Sequence, residues 1–154
     1  LIVDDIKKYN LNNINMIEIG GGYGGLCFFI YKIAEKYDIS INSYTIFDLP
    51  EPCQLQKKYL DAVGINGVNA YHLDEYSDIK SDSFLVSTYA FSEIPNEIQK
   101  QYSEQIINPY TKYGFIAWNN IPVYPFVNNS DIHDEPERPL TSKRNKFVRF
   151  NPKC

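Results

Sequence analysis

Metal-binding chemistry has little to work with in this chain. Histidine occurs twice, as His72 and His133, and cysteine three times, as Cys27, Cys53 and Cys154, in 154 residues. No two cysteines form a CxxC, and no Cys/His group has zinc-site spacing. An odd, scattered set gives no disulfide framework either, so a reducing compartment, the cytoplasm, fits best. No apolar run reaches the ~18 residues of a membrane span, and no signal-peptide pattern opens the chain. Positive charge is also short. Fifteen Lys and Arg against 19 Asp and Glu leave a net charge of −4, without the basic stripe that nucleic acid requires. The last segment is the local exception, with Arg138, Lys143, Arg144, Lys146, Arg149 and Lys153. It reads either as a solvated edge or as a patch for an anionic substrate group.

What remains is enough for one compact domain with a real core, expected over residues 1–154. Residue 1 is Leu rather than Met, so a fragment or trimmed domain is the alternative. Strand-like and helix-like patterns alternate. Asn15 to Ile19 reads as a buried strand. Leu26, Phe29, Ile30, Ile33, Ala34 and Tyr37 then recur on one helical face, with Lys32, Glu35 and Lys36 opposite. Ser43 to Phe47 is a second strand, Pro50 opens a helix that runs to Gly64, and Val68 to Tyr71 is a third strand. Ser83 to Thr88 is apolar enough to be central, Pro95 to about Ile107 is helical, and Tyr113 to Trp118 is a fifth strand. Ile132 to Asp134 and Lys146 to Phe150 are expected as short antiparallel edge strands. The fold class is therefore α/β: a Rossmann-like, mostly parallel sheet with helices on both faces and an antiparallel C-terminal edge. In such sheets ligands bind beyond the carboxyl ends of the strands.

The first strand ends in NMIEIGGGYGG, Asn15 to Gly25, with a carboxylate at Glu18 and glycines at 20, 21, 22, 24 and 25. Gly20, Gly22 and Gly25 satisfy GxGxxG, and Asp48 lies near the ~20-residue spacing of a ribose-binding acid. The pattern alone permits a dinucleotide. Glu18 argues against one, because a carboxylate beside the loop would repel a pyrophosphate at the helix N-terminus. S-adenosylmethionine carries no phosphate, and its sulfonium and ammonium suit a nearby acid.

ExGxGxG at Glu18, Gly20, Gly22 and Gly24 resembles the first motif of class I S-adenosylmethionine-dependent methyltransferases. FDLPEPCQLQKKYL, STYAFSEIP and EPERPLTSKRNKF further resemble the sugar O-methyltransferase family. The resemblance implies S-adenosyl-L-methionine as cofactor and a small-molecule acceptor, a sugar or nucleotide sugar, with no nucleic-acid or membrane partner. It implies that Glu18, Gly20, Gly22 and Gly24 line the methionine end, that Asp48 holds the ribose and that Leu49 lies against the adenine. Leu73 and Asp74 are implied near the adenine edge, and Ser87 and Tyr89 beside the sulfonium. The family's substrate-capping segment, which precedes the first motif, is nearly absent.

A hydroxyl acceptor needs its proton removed, so a general base is sought near the carboxyl ends of the strands. Glu93 and His133 are the candidates. Glu93 is otherwise a first-turn helix charge, and His133 a surface histidine. His72 reads as a cofactor contact or structural residue, and Asn119 and Asn120 as hydroxyl binders or turn residues. Asp131, His133, Asp134 and Glu135 form a weak divalent-metal pattern, and no metal is expected. Trp118 reads as core and Cys27 as a buried thiol. Cys53 lies near a helix start, which lowers a thiol pKa. Two competing readings are an NAD(P)-dependent oxidoreductase and a non-catalytic, methyltransferase-like partner module.

Overall fold

The computed structural model describes residues 1–128 and 130–152. Lys153 and Cys154, named above, lie outside the described residues. The chain divides into two compact units, Leu1–Lys80 and Ser81–Cys154.

The first unit holds α1 (Ile2–Lys8), β1 (Asn13–Ile19), α2 (Gly25–Lys36), β2 (Ser40–Phe47), α3 (Pro50–Ala62) and β3 (Val68–Tyr71). Its strands are parallel in the order β3-β2-β1. Helical crossovers supply that parallel pairing, as the alternating pattern demands. The register sets Glu18 beside Ile46 and Ile19 beside Phe47, so the glycine loop and Asp48 leave neighbouring strand ends. α1 lies ahead of the first expected element. Its two first-turn aspartates and two last-turn lysines suit the helix dipole, and Val3 and Ile6 are buried.

The apolar stripe expected on α2 is corrected. Cys27, Ile30 and Ala34 are buried, whereas Phe29, Ile33 and Tyr37 are exposed by 58%, 39% and 45%. Six apolar positions span more of the helix than its neighbours cover. The line that goes inward includes the small residues Gly25, Cys27 and Ala34, which permit close approach. Tyr37 is partly shielded by Lys7, whose Nζ sits 3.3 Å from the ring centroid.

The second unit holds β4 (Ser83–Thr88), α4 (Ala90–Glu93), α5 (Asn96–Tyr102), a π-helical turn (Ser103–Ile107), α6 (Asn108–Tyr110), β5 (Thr111–Trp118), β6 (Ser130–Pro136) and β7 (Lys146–Pro152). Its strands run in the order β4-β5-β7-β6, parallel between β4 and β5 and antiparallel across β5, β7 and β6. The antiparallel edge expected from the last two patterns is present. The helix expected to about Ile107 instead widens into the π-helical turn. There Ser103 Oγ donates to the Gln99 carbonyl at 2.9 Å and Asn108 Nδ2 to the Ser103 carbonyl at 2.6 Å, diverting the regular ladder. Trp118, Phe84, Phe91 and Phe150 are fully buried and centre the core of this unit. Across both units the fold is α/β, mostly parallel, with an antiparallel C-terminal edge. No described helix is long and apolar enough to cross a membrane.

Candidate functional site

In the first unit, the glycine loop is tied directly to Asp48. The Gly22 N–H donates to Asp48 Oδ2 at 3.2 Å, and the Leu49 N–H donates to Oδ1 at 2.9 Å. Gln56, on α3, joins the two parts. Its Nε2 donates to Asp48 Oδ2 at 2.9 Å and to the Gly22 carbonyl at 3.0 Å. Gln56 is fully buried, and its Oε1 has no partner. Flipping the amide would aim that oxygen at a carboxylate and a carbonyl, so the network fixes the orientation.

Gln56 was not among the expected site residues. Cys53, Gln56 and Leu60 are the buried positions of α3, spaced i, i+3 and i+7. A long polar side chain in phase with a buried face was the signal.

The loop is crowded beneath and open above. A Cβ on Gly21 would meet Ile46 Cγ2 at 2.6 Å and Gln56 Nε2 at 3.2 Å. A Cβ on Gly22, at φ +55°, would meet nothing within 4 Å. Gly24 caps α2 at φ 96° without a side-chain acceptor, leaving first-turn N–H groups for solvent or a ligand. Leu49 is 62% exposed, Asp74 is exposed, and Leu73 is buried. Bare backbone, an acid beside it and an exposed apolar residue fit a nucleoside-bearing ligand such as S-adenosylmethionine.

Glu18 was expected as a charged carboxylate beside the loop, and its surroundings change that charge. It is buried, and the Tyr44 hydroxyl donates to its Oε2 at 2.7 Å. Burial pushes its pKa up to about 7 from an ordinary 4.5. The Tyr44 hydrogen bond opposes that rise, and the charge of Asp48 adds to it. Glu18 therefore underlies the loop without being a fixed negative charge at neutral pH. Its raised folded-state value contributes stability that is fully present below pH 4.5. That contribution is lost as the pH climbs through about 7, by about 3 kcal/mol in all. Glu18→Gln is expected to flatten this decline, read as urea midpoints at pH 5 and pH 8. An unchanged decline would assign it to other groups.

Cys27 is buried, as expected. Cys53 is corrected: burial raises its thiol pKa and the nearby Asp48 charge adds to the rise, outweighing any lowering at the helix start. His72 Nδ1 lies 3.4 Å from Asp74 Oδ2.

The second unit holds the remaining candidates. Ser87 is fully buried, and its Oγ accepts the Phe91 N–H at 3.1 Å. Tyr89 follows β4 in the left-handed region at φ 66°, a costly conformation for a residue with a side chain. Its hydroxyl donates to Glu137 Oε1 and lies 3.2 Å from Thr141 Oγ1. Burial and that hydrogen bond raise the phenol pKa.

Glu137 is also new to the site. Its burial opposes ionisation, but hydrogen bonds from Thr141, Tyr89 and Asn145 outweigh it and hold the carboxyl at about 2. The partner Tyr89 is 48 residues away, and no local pattern announces the pair.

Glu93 is exposed and accepts the Asn119 amide, joining the ends of α4 and β5. His133 is exposed on β6, directly across from Arg149. The acids around it are engaged: Asp134 with Lys146, and Glu135 with Arg149 at 2.5 Å. No group of three or more metal-ligating side chains is assembled among the described residues.

No family model matches the chain, and no curated protein matches it. Solved structures do. One from Pyrococcus horikoshii OT3 aligns with a TM-score of 0.67 at 11% identity, covering 99% of this chain and 88% of that one. LepI in complex with S-adenosylmethionine aligns at 0.64 and 12% identity, over 99% of this chain and 46% of LepI. The mitomycin 7-O-methyltransferase MmcR aligns at 0.62 and 11% identity, over 91% of this chain and 49% of MmcR. The chain thus spans about half the length of the latter two. At these identities the likeness is one of fold: that of class I methyltransferases.

Proposed function

We propose that the chain is an S-adenosylmethionine-dependent O-methyltransferase acting on a hydroxyl of a sugar or sugar-containing metabolite. The observation that carries this reading is the bare glycine loop bound through Gly22 and Gln56 to the carboxylate of Asp48. The S-adenosylmethionine bound by LepI and the O-methylation named for the mitomycin enzyme support it from the side of the fold. The sugar acceptor rests on the FDLPEPCQLQKKYL and EPERPLTSKRNKF segments.

When bound, S-adenosylmethionine supplies an activated methyl group. Asp48 already accepts three hydrogen bonds from the chain, so roughly one of its four lone-pair positions is left for a ribose hydroxyl. Gln56 keeps that carboxylate oriented. Leu49 offers an exposed apolar surface for a base, and Gly20, Gly22 and Gly24 admit the methionine end. Glu93 takes the acceptor proton, with Asn119 fixing its carboxylate.

Asp48→Ala removes a charged acceptor and unties Gly22, so S-adenosylhomocysteine is expected to bind at least ~10-fold more weakly. Calorimetry with S-adenosylhomocysteine and with NAD tests both residue and reading. An unchanged Kd would remove Asp48 from the site, and NAD uptake without S-adenosylhomocysteine uptake would overturn the methyltransferase.

A further inference from the structure

The basic C-terminal segment is left unexplained by that reading. Arg138, Lys143 and Arg144 are exposed, and Lys146 and Arg149 pair with Asp134 and Glu135. The turn between β6 and β7 folds onto the buried carboxylate of Glu137. Glu137 Oε2 accepts the Thr141 N–H at 2.8 Å and the Thr141 hydroxyl at 2.6 Å. The Glu137 N–H donates to the Asn145 carbonyl at 3.0 Å, and Asn145 Nδ2 donates to Thr141 Oγ1 at 3.0 Å. The turn is therefore built around an interior anion. Its outer side helps line a cavity of about 620 Å³, with Lys143, Arg144, Lys146, Asp134, Asn120 and Ile121 among the lining residues.

Charge in this cavity is unbalanced. Lys146 pairs with Asp134, but Lys143 and Arg144 have no carboxylate partner among the described residues. Glu137, the next acid along the turn, is committed to Tyr89 and Thr141. Two uncompensated cations on an ordered turn, in a chain whose net charge is −4, match a dianion. A guanidinium supplies a planar fork for two oxygens, and an ammonium adds a point charge.

We propose that this cavity binds a phosphate or pyrophosphate group, the anionic part of a phosphorylated or nucleotide-linked acceptor. Only the word acceptor rests on the methyltransferase reading; the anion site stands on the cavity itself. The class of compound then follows from charge. A neutral free sugar leaves Lys143 and Arg144 unused, whereas a sugar carrying a phosphate engages both.

The test is titration of the whole chain with pyrophosphate, at fixed ionic strength and without S-adenosylmethionine. Saturable binding is expected, weakened at least ~10-fold in K143Q/R144Q and about 3-fold in each single variant. K32Q/K36Q makes the same charge change on α2 and is expected to bind as the unaltered chain does. No saturable binding, equal binding by K143Q/R144Q, or equal weakening in K32Q/K36Q would each overturn the site. Competition by a nucleotide-linked sugar but not by the neutral sugar assigns the anion to the acceptor, and competition by neither overturns that assignment. Because no methyl transfer is measured, failure of the methyltransferase reading leaves these outcomes intact.

Discussion

Glu93→Gln is expected to lower methyl transfer by ~10²–10⁴-fold while leaving the affinity for S-adenosylhomocysteine unchanged. An alcohol is a weak nucleophile until its proton leaves, and the proposed base is an exposed carboxylate fixed by the Asn119 amide. Glutamine preserves the size of the side chain and can still accept from Asn119 through its carbonyl. It cannot take a proton. The loss should therefore fall on kcat rather than KM, and the pH–rate limb that reports the base should disappear. Rates over a panel of phosphorylated and nucleotide-linked sugars, with cofactor binding followed in parallel, give both readouts. Full turnover in the variant would exclude Glu93 as the base. Weakened cofactor binding would mark it as a structural group.

Chain-local signals account for most of the fold. Val68 to Tyr71 and Ser83 to Thr88 are strands over those same residues, because short apolar runs between turn-forming segments leave little freedom in their bounds. The edge pair was expected over Ile132–Asp134 and Lys146–Phe150, and the ladder extends both strands, to Ser130–Pro136 and Lys146–Pro152. The phase of α2 was not legible. Its largest apolar residues face outward, so hydrophobicity ranked by size pointed to the wrong side. The candidate site divides in the same way. Asp48 and the glycines stand at strand ends, where topology places ligand contacts. Gln56 and Glu137 act through partners far along the chain, to which local periodicity is blind. Glu18 shows a third kind of failure. Its position was legible, but its charge state depends on burial against Tyr44, which only the packed strands reveal.

A carboxyl near half ionisation at neutral pH is a poor basis for rejecting a diphosphate, because a second anion nearby would simply favour its protonated form. The glycine loop and Asp48 suit the ribose of either ligand, S-adenosylmethionine or a dinucleotide. The contrast between S-adenosylhomocysteine and NAD is accordingly the measurement with most weight for the reading as a whole.

Trp118→Ala is expected to cost about 3–5 kcal/mol and to lower Tm by roughly 6–20 °C. Trp118 is fully buried at the end of β5, stacked on Phe126 at 5.6 Å and edge-on to Phe91 at 6.0 Å and Tyr124 at 5.5 Å. Alanine would leave those three rings facing a void that backbone held in β5 cannot close. The indole has a second role. Its Nε1 donates to the Ile121 carbonyl at 3.0 Å and so holds the segment that presents Asn120 and Ile121 to the basic cavity. Trp118→Phe separates the two. It keeps an aromatic ring in the cluster, so about 1–2 kcal/mol of stability should be lost through the missing hydrogen bond and reduced volume. Urea unfolding of both variants checks the ranking. A phenylalanine chain as unstable as the alanine chain would show that the hydrogen bond to Ile121, rather than ring packing, anchors the end of β5.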